Sequence, residues 1–281
     1  MKIMTYLKLV RVEQWYKNLV VFLALFFSGN LFSVSLMYTS FVAFIALCLV
    51  SSAGYIMNDI VDRKNDALHP LKKNRPLASG MIGVVEGVIL AILLLIAGGG
   101  VGLKIGADFF LILSALFILT LMYTFLLKKI MFADVLTIAT LFVLRAISGA
   151  IAINVRISPW LVLCPFFLAL FLAVAKRQAD LLLLGKKAGQ TRAVLEHYTL
   201  EITRALLIIS TTLLALSYAL YSFLSEHGNL IYTLPLALLV IFRVYYFTTL
   251  EERFSGQWLK DKTLLIGIVL WVVGTAGIIY L

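Results

Sequence analysis

The chain has 281 residues, of which 62% are hydrophobic and only 14% are charged. This composition excludes an ordinary soluble domain and predicts an all-α polytopic membrane protein, since each helix that crosses a bilayer needs about 20 apolar residues. The formal net charge of +10 does not indicate nucleic-acid binding, because basic loops on one membrane face produce the same excess. Both cysteines lie in apolar runs and suggest neither a disulfide framework nor a zinc site.

Nine apolar stretches predict nine transmembrane helices in a single bundle, which forms one domain over residues 1–281. They lie at about 18–32, 35–55, 82–102, 109–127, 135–153, 159–175, 205–224, 230–248 and 264–281. The first stretch is short. Basic and interfacial residues precede it, so we interpret the N-terminus as a retained interfacial segment rather than a cleaved signal.

The basic residues predict the orientation of these helices. With the N-terminus inside, 20 of the 24 Lys and Arg residues fall in inside segments, and the outside loops hold only Lys104 and Arg156. Inside loops of membrane proteins carry such an excess. We therefore expect an inner or plasma membrane protein with its N-terminus and polar mouth in the cytoplasm and its C-terminus outside. The long inside loops 56–81 and 176–204 are expected to cap the active site.

A cluster of acidic residues ends the second apolar stretch. At about 100° per residue, a helix through this segment places one Tyr, one Asn and three Asp within an arc of roughly 100°. These residues are Tyr55, Asn58, Asp59, Asp62 and Asp66. Carboxylates on one face repel each other unless a cation lies between them, and oxygen ligands suit Mg²⁺ shared with a phosphate-bearing substrate. A solvated helix end is the less favoured interpretation, because Asn and Tyr share the arc.

Three cations follow the acidic cluster within a turn that contains two prolines and ends at Gly80. Lys72, Lys73 and Arg75 are candidates for binding phosphate, for which Arg offers a bidentate geometry. The alternative is that they only anchor the loop to the inside face of the membrane.

A second charged motif, Lys176-Arg177-x-x-Asp180, ends the sixth apolar stretch. Its polar positions repeat the register of Asn58, Asp59 and Asp62, although chance alignment also explains so short a match. Cations just inside a span either reach back to the interface or bind an anion in the bundle. We favour anion binding, with Asp180 either holding one cation in place or reaching a second metal.

Further candidates lie near the inside ends of other stretches, and one lies within a span. Arg145 is at hydrocarbon depth and needs a partner or a wet cavity. The full set of these candidates is Lys17, Asn18, Tyr123, Lys128, Arg145 and Tyr198. The sequence contains no Ser–His–Asp or Cys–His arrangement, which favours a reaction without a nucleophilic side chain. Departure of diphosphate from an activated carbon, assisted by Mg²⁺ and cations, is such a reaction.

The motif Asn58-Asp59-x-x-Asp62-x-x-x-Asp66 resembles the first aspartate-rich motif of the UbiA-type intramembrane prenyltransferase superfamily. In usual members the second motif is also aspartate-rich, whereas here it reads Lys176-Arg177-x-x-Asp180. The chain is most similar to the decaprenyl-phosphate phosphoribosyltransferase branch. The resembling segments are 14–18, 58–80, 134–145, 157–160, 175–181 and 192–199.

This resemblance implies Mg²⁺-dependent transfer of 5-phosphoribose from phosphoribosyl diphosphate to a polyprenyl phosphate. It implies Mg²⁺ ligation by Asn58, Asp62 and Asp66, and catalytic roles for Asp62, Asp66, Lys176 and Arg177. The remaining residues would bind substrate: Lys17, Asn18, Asp59, Lys72, Lys73, Arg75, Tyr123, Lys128, Arg145, Asp180 and Tyr198. The expected partners are the lipid, the sugar donor and the membrane, with no nucleic acid and with a homo-oligomer left open.

Two alternatives remain at this point. One is prenyl transfer from a polyprenyl diphosphate to an aromatic or polar acceptor. The other is a lipid-phosphate transporter. It is disfavoured because transporters usually place charges or broken helices near the midplane, whereas the charges of this sequence cluster at one face of the membrane.

Overall fold

The computed structural model describes residues 2–68, 72–185, 189, 192–249 and 261–281, and every regular element in these ranges is helical. His69, which we did not assign as a ligand, and parts of both expected capping loops lie outside the described residues. The chain divides into two compact units, Met1–Ile157 and Ser158–Leu281. The prediction of a single domain over residues 1–281 stays a prediction.

The first unit is built around one long helix. Its elements are α1 (Lys2–Leu9), a 3-10 helix (Val12–Val21), α2 (Phe22–Phe27), α3 (Val34–Leu68), α4 (Val84–Ile105), α5 (Ala107–Phe125), a 3-10 turn (Leu127–Lys129) and α6 (Ala133–Ala152). The 35 residues of α3 extend about 52 Å at 1.5 Å per residue. Because the hydrocarbon core is only about 30 Å thick, α3 is long enough to carry several polar turns beyond it.

Small residues bring the helices of the first unit close together. A Cβ atom at Gly98 of α4 would lie 2.8 Å from Cγ2 of Val50 on α3, and one at Gly149 of α6 would lie 2.0 Å from the carbonyl oxygen of Val21. Real Cβ atoms do not approach backbone this closely, so α6 contacts the N-terminal 3-10 helix only because residue 149 is glycine.

The second unit contains α7 (Pro159–Leu184), a 3-10 turn (Ala193–Glu196), α8 (Leu200–Leu224), a 3-10 helix (Gly228–Thr233), α9 (Leu234–Thr249) and α10 (Lys262–Tyr280). Side-chain oxygens of Ser158, Thr199 and Asp261 cap the N-termini of α7, α8 and α10. Each oxygen satisfies a backbone N–H that has no partner within its helix. Local sequence therefore defines where these three helices begin.

Eight of the nine expected spans correspond to helices of the described chain that are long and apolar enough to cross a membrane. The expected first span, 18–32, instead consists of the end of the 3-10 helix, the six-residue helix α2 and a turn with Gly29 at a φ of 72°. Neither helical piece is long enough to span a bilayer. The polytopic, all-α fold is confirmed and the count of nine is not.

Candidate active site

The acidic cluster lies on one continuous helix, as its spacing predicts, because α3 runs unbroken to Leu68. Its carboxylates differ in environment. Asp59 and Asp66 are buried, with 3% and 5% of their surface exposed, whereas the side chain of Asp62 is 26% exposed. Buried carboxylates require charged partners, so the neighbouring cations decide what this face of α3 can do.

Arg75 pairs with two of the three aspartates. Its Nη1 donates to Oδ1 of Asp59 at 3.0 Å and to Oδ2 of Asp66 at 2.6 Å. The sequence placed Lys72, Lys73 and Arg75 together near the acidic cluster, and the structure brings Arg75 into contact with it. Lys73 is exposed and Lys72 is half-buried. Binding of phosphate by these two lysines stays a prediction.

Lys128 neutralises the third aspartate. It lies in the 3-10 turn after α5, and its Nζ donates to Oδ1 of Asp62 at 2.6 Å and to Oδ1 of Asn58 at 3.4 Å. Two side-chain oxygens of the motif therefore already accept hydrogen bonds from one cation. Tyr123 is half-buried near the end of α5, about one turn before this lysine.

Arg11 also contacts the acidic cluster, although its position in the sequence indicated only membrane topology. It lies between α1 and the first 3-10 helix, and its guanidinium binds both carboxylate oxygens of Asp59. The guanidinium carbon also lies 5.3 Å from the ring centroid of Tyr55. Its position three residues before Gln14 and Trp15 was the available signal, but nothing local indicated a partner 48 residues away.

Asn18 and Arg145 bind each other in the interior of the first unit. Nε of Arg145 donates to Oδ1 of Asn18 at 2.8 Å, and its Nη1 donates to the carbonyl of Leu141 at 2.8 Å. Nδ2 of Asn18 contacts Sγ of Cys48 at 3.3 Å, and the hydroxyl of Ser51 donates to Oδ1 of Asn18 at 3.4 Å. The intramembrane arginine thus has the partner that its depth requires, although that partner is neutral.

Lys17 lies close enough to Arg145 and Arg11 to be repelled by both, so three cations share this region of the first unit. Burial, reinforced by repulsion from Arg145 and then Arg11, lowers the pKa of the Lys17 ammonium to about 8. Such a region favours an anion, since an added negative charge would relieve the repulsion. Binding of substrate by Lys17, Asn18 and Arg145 stays a prediction.

The second motif is also helical, because α7 continues to Leu184. Arg177 is only 1% exposed, and its Nη1 lies 3.9 Å from Oδ2 of Asp180. Nε2 of Gln178 donates to the carbonyl of Thr248 at 3.3 Å, while Lys176 is exposed. The role of Asp180, either as the partner of one cation or as a ligand of a second metal, stays a prediction. Tyr198 is buried within the same unit.

The carboxylates do not form a ready-made metal cage. Within the described ranges, no three Asp, Glu, His or Cys side chains group as a metal site. Asp66 is engaged by Arg75 and Asp62 by Lys128. Ligation of Mg²⁺ by Asn58, Asp62 and Asp66 therefore stays a prediction, in which the cations now on these side chains would have to exchange with the metal.

Comparison with known proteins assigns the class that this fold and motif define. A family model described as the UbiA prenyltransferase family matches residues 18–266, and the chain belongs to that family. The described part of the chain contains eight long apolar helices, and the protein is an integral membrane transferase. This confirms the resemblance drawn from the aspartate motif and removes the transporter alternative.

The similar curated proteins define the branch more narrowly. The chain is 30% identical to a decaprenyl-phosphate phosphoribosyltransferase of Mycolicibacterium smegmatis, over 96% of this chain and 91% of the relative. It is 32% identical to the Corynebacterium glutamicum protein of the same name, over 79% of this chain and 69% of the relative.

The similar solved structures show the fold. A UbiA homolog from Archaeoglobus fulgidus bound to DMAPP and Mg²⁺ superposes with a TM-score of 0.74 at 20% identity, and the same homolog bound to GPP and Mg²⁺ with a TM-score of 0.73 at 21% identity. Each comparison covers 98% of this chain and 99% of the other.

Proposed function

We propose that the protein transfers 5-phosphoribose from phosphoribosyl diphosphate to a polyprenyl phosphate and releases diphosphate. The observation that carries the proposal is the pairing of the α3 aspartates with Arg75 and Lys128. In such an array the carboxylates can bind the metal ion of a metal diphosphate, and the cations can bind its phosphate oxygens. The names of the mycobacterial and corynebacterial relatives support the same reaction.

The residues present fit Mg²⁺. The oxygens of Asn58 and Asp62 already face one cation, the Lys128 ammonium, and the partly exposed Asp62 side chain leaves room for the water ligands that Mg²⁺ usually keeps. Asn58 and Asp62 would hold the metal, joined by Asp66 if it exchanges its contact with Arg75. When bound, Mg²⁺ would supply charge neutralisation for the departing diphosphate.

The protein's own cations would neutralise the remaining negative charge on the phosphates of the donor. Released from their carboxylates, Arg75 and Lys128 would donate to the donor's phosphate oxygens, with Lys72 and Lys73 close in sequence to Arg75. The bond between ribose C1 and the diphosphate oxygen breaks, and a bond forms between C1 and an oxygen of the lipid phosphate. Because that oxygen is already anionic, the reaction needs no general base, consistent with the sequence.

The acceptor is assigned to the second motif. We propose that Lys176 and Arg177 bind the lipid phosphate, with the polyprenyl tail in the bilayer. Nη1 of Arg177 lies 3.9 Å from Oδ2 of Asp180. A guanidinium suits a bidentate phosphate contact, and the exposed Lys176 can approach a headgroup from solvent. The N-terminus and the polar mouth would face the cytoplasm of an inner or plasma membrane, where the basic residues concentrate.

The test combines purified full-length protein in detergent, Mg²⁺, radiolabelled phosphoribosyl diphosphate and a polyprenyl phosphate. We expect label in the organic extract that disappears with EDTA and in Asp62→Asn and Asp66→Asn. Lys129→Met is the matched control, since this exposed lysine adjoins Lys128 but has no assigned role. Wild-type protein that ignores phosphoribosyl diphosphate but consumes a polyprenyl diphosphate would refute the proposal.

Prenyl transfer is the second candidate, favoured by a fold shared with a homolog bound to prenyl diphosphates. The acceptor-side cations separate the two reactions. Under phosphoribosyl transfer, Lys176→Ala and Arg177→Ala should raise the KM for polyprenyl phosphate by roughly tenfold to a hundredfold, the equivalent of one charged hydrogen bond. The KM for phosphoribosyl diphosphate should change less. Loss of affinity for a prenyl diphosphate donor instead would favour prenyl transfer.

A further inference from the structure

Residues at and just before the start of the first 3-10 helix form hydrogen bonds with two turns of α3. The hydroxyl of Ser52 donates to the carbonyl of Val10 at 2.7 Å and accepts from Nε1 of Trp15 at 3.1 Å. Seven residues further along α3, on the same face, Asp59 binds the guanidinium of Arg11. The N-terminal segment therefore holds Arg11 in a defined position against the acidic face.

The backbone conformation of Arg11 is unusual for a residue with a Cβ atom. Arg11 has φ 53° and ψ 50°, in the left-handed region. A residue with a Cβ atom rarely adopts this conformation unless its surroundings hold it there. The guanidinium of this residue binds the carboxylate of Asp59 and lies near the ring of Tyr55, and its backbone takes part in turn hydrogen bonds with Lys8 and Gln14.

The two arginines on Asp59 use the carboxylate differently. Arg11 takes both oxygens, donating from Nε to Oδ2 at 3.2 Å and from Nη2 to Oδ1. Arg75 shares only Oδ1, and its Nη1 extends to Oδ2 of Asp66. Because Arg11 already takes both oxygens of Asp59, a bidentate pair between Arg75 and this carboxylate would have to compete with Arg11.

We propose that Arg11 is a positioning residue that occupies Asp59 so that Arg75 stays at the mouth of the site, available to the phosphate of the donor. Without Arg11, Asp59 would offer both oxygens to Arg75. A bidentate guanidinium–carboxylate pair in a buried setting is strong, so Arg75 would be withdrawn from its phosphate ligand. The inference rests on the proposed function only in assigning Arg75 to an anionic donor.

Binding of Mg²⁺ and inorganic diphosphate to the full-length protein, measured by calorimetry, tests this role. Diphosphate leaves in both candidate reactions, so the measurement does not depend on which donor is used. We expect Arg11→Met to weaken binding about tenfold, the effect of displacing one charged hydrogen bond. Arg11→Lys, which keeps a charge on Asp59, should recover most of the affinity. The KM for polyprenyl phosphate should not change.

The charge-balanced double variant decides between positioning and direct contact. If Arg11 acts only through Asp59, Arg11→Met/Asp59→Asn binds diphosphate as tightly as Asp59→Asn alone. A further tenfold loss in the double variant would mean that Arg11 contacts the ligand itself and would overturn the proposal. Because this variant leaves no uncompensated buried carboxylate, it carries the test even if Arg11→Met does not fold.

Arg243→Met is the matched control, since it breaks another bidentate Arg–Asp pair, with Asp261 in the second unit. It should leave diphosphate binding unchanged. Wild-type affinity in Arg11→Met would overturn the positioning role even if phosphoribosyl diphosphate is consumed. Weakened diphosphate binding in a protein that does not consume phosphoribosyl diphosphate would support the positioning role and refute the proposed reaction. Failure of the wild type to bind diphosphate would refute both.

Discussion

Replacing Lys128 by methionine should tighten Mg²⁺ binding in the absence of substrate. The Lys128 ammonium lies 2.6 Å from Asp62 and 3.4 Å from Asn58, where it competes with a metal for the same two oxygens. Its side chain is 12% exposed and that of Asp62 is 26% exposed, so solvent screens the pair only in part. A hydrogen bond between charged groups is worth about 1.5–3 kcal/mol, which corresponds to roughly tenfold to hundredfold tighter Mg²⁺ binding.

The same substitution should have the opposite effect on the donor. Lys128→Met removes a cation that we assign to the donor's phosphates, so the KM for phosphoribosyl diphosphate should rise while metal affinity increases. Titration of Mn²⁺ by electron paramagnetic resonance, with and without competing Mg²⁺, measures the first effect directly. Lys129→Met should leave both quantities unchanged. Equal or weaker metal binding by Lys128→Met would refute the assignment of Asn58 and Asp62 as metal ligands.

Three further predictions concern pH, packing and topology. Lys17 loses its proton as the pH rises through about 8, so substrate affinity should fall about tenfold between pH 7 and 9, and Lys17→Arg should flatten this profile. If Lys17 does not contact substrate, the two profiles will coincide. Gly149→Ala should lower the thermal unfolding temperature, because overpacking against backbone costs about 1–3 kcal/mol, whereas Gly100→Ala, whose Cβ would meet nothing, should not lower it. Single cysteines at Ser79 and Gly106 should react with impermeant maleimide from opposite membrane faces, and reaction from one face would contradict the assigned orientation.

The acidic face could be predicted from sequence because its geometry is local. Asn58, Asp59, Asp62 and Asp66 lie on one helix, and helical periodicity alone aligns them. The contact of Arg75 with the aspartates was also predictable in outline, since only 9 residues separate Arg75 from Asp66.

Hydropathy was a less reliable guide to the N-terminal region. The stretch 18–32 is apolar enough to suggest a span, yet it contains a 3-10 helix, a short α-helix and a turn. The contact of this segment with Gly149 and the burial of Asn18 against Arg145 show that tertiary packing determines its conformation. A window average of hydropathy contains no information about such contacts.

By itself, the sequence determined that the chain crosses a membrane as helices and that one helix carries an oxygen-rich face with cations nearby, because hydropathy and helical periodicity depend on neighbouring residues. Only the tertiary structure decided which cation meets which carboxylate. Arg11 reaches Asp59 across 48 residues, and Arg145 reaches Asn18 across 127. Such pairs form because packing of helices places distant side chains within hydrogen-bonding distance, and a buried charge is stable only where that packing supplies a partner.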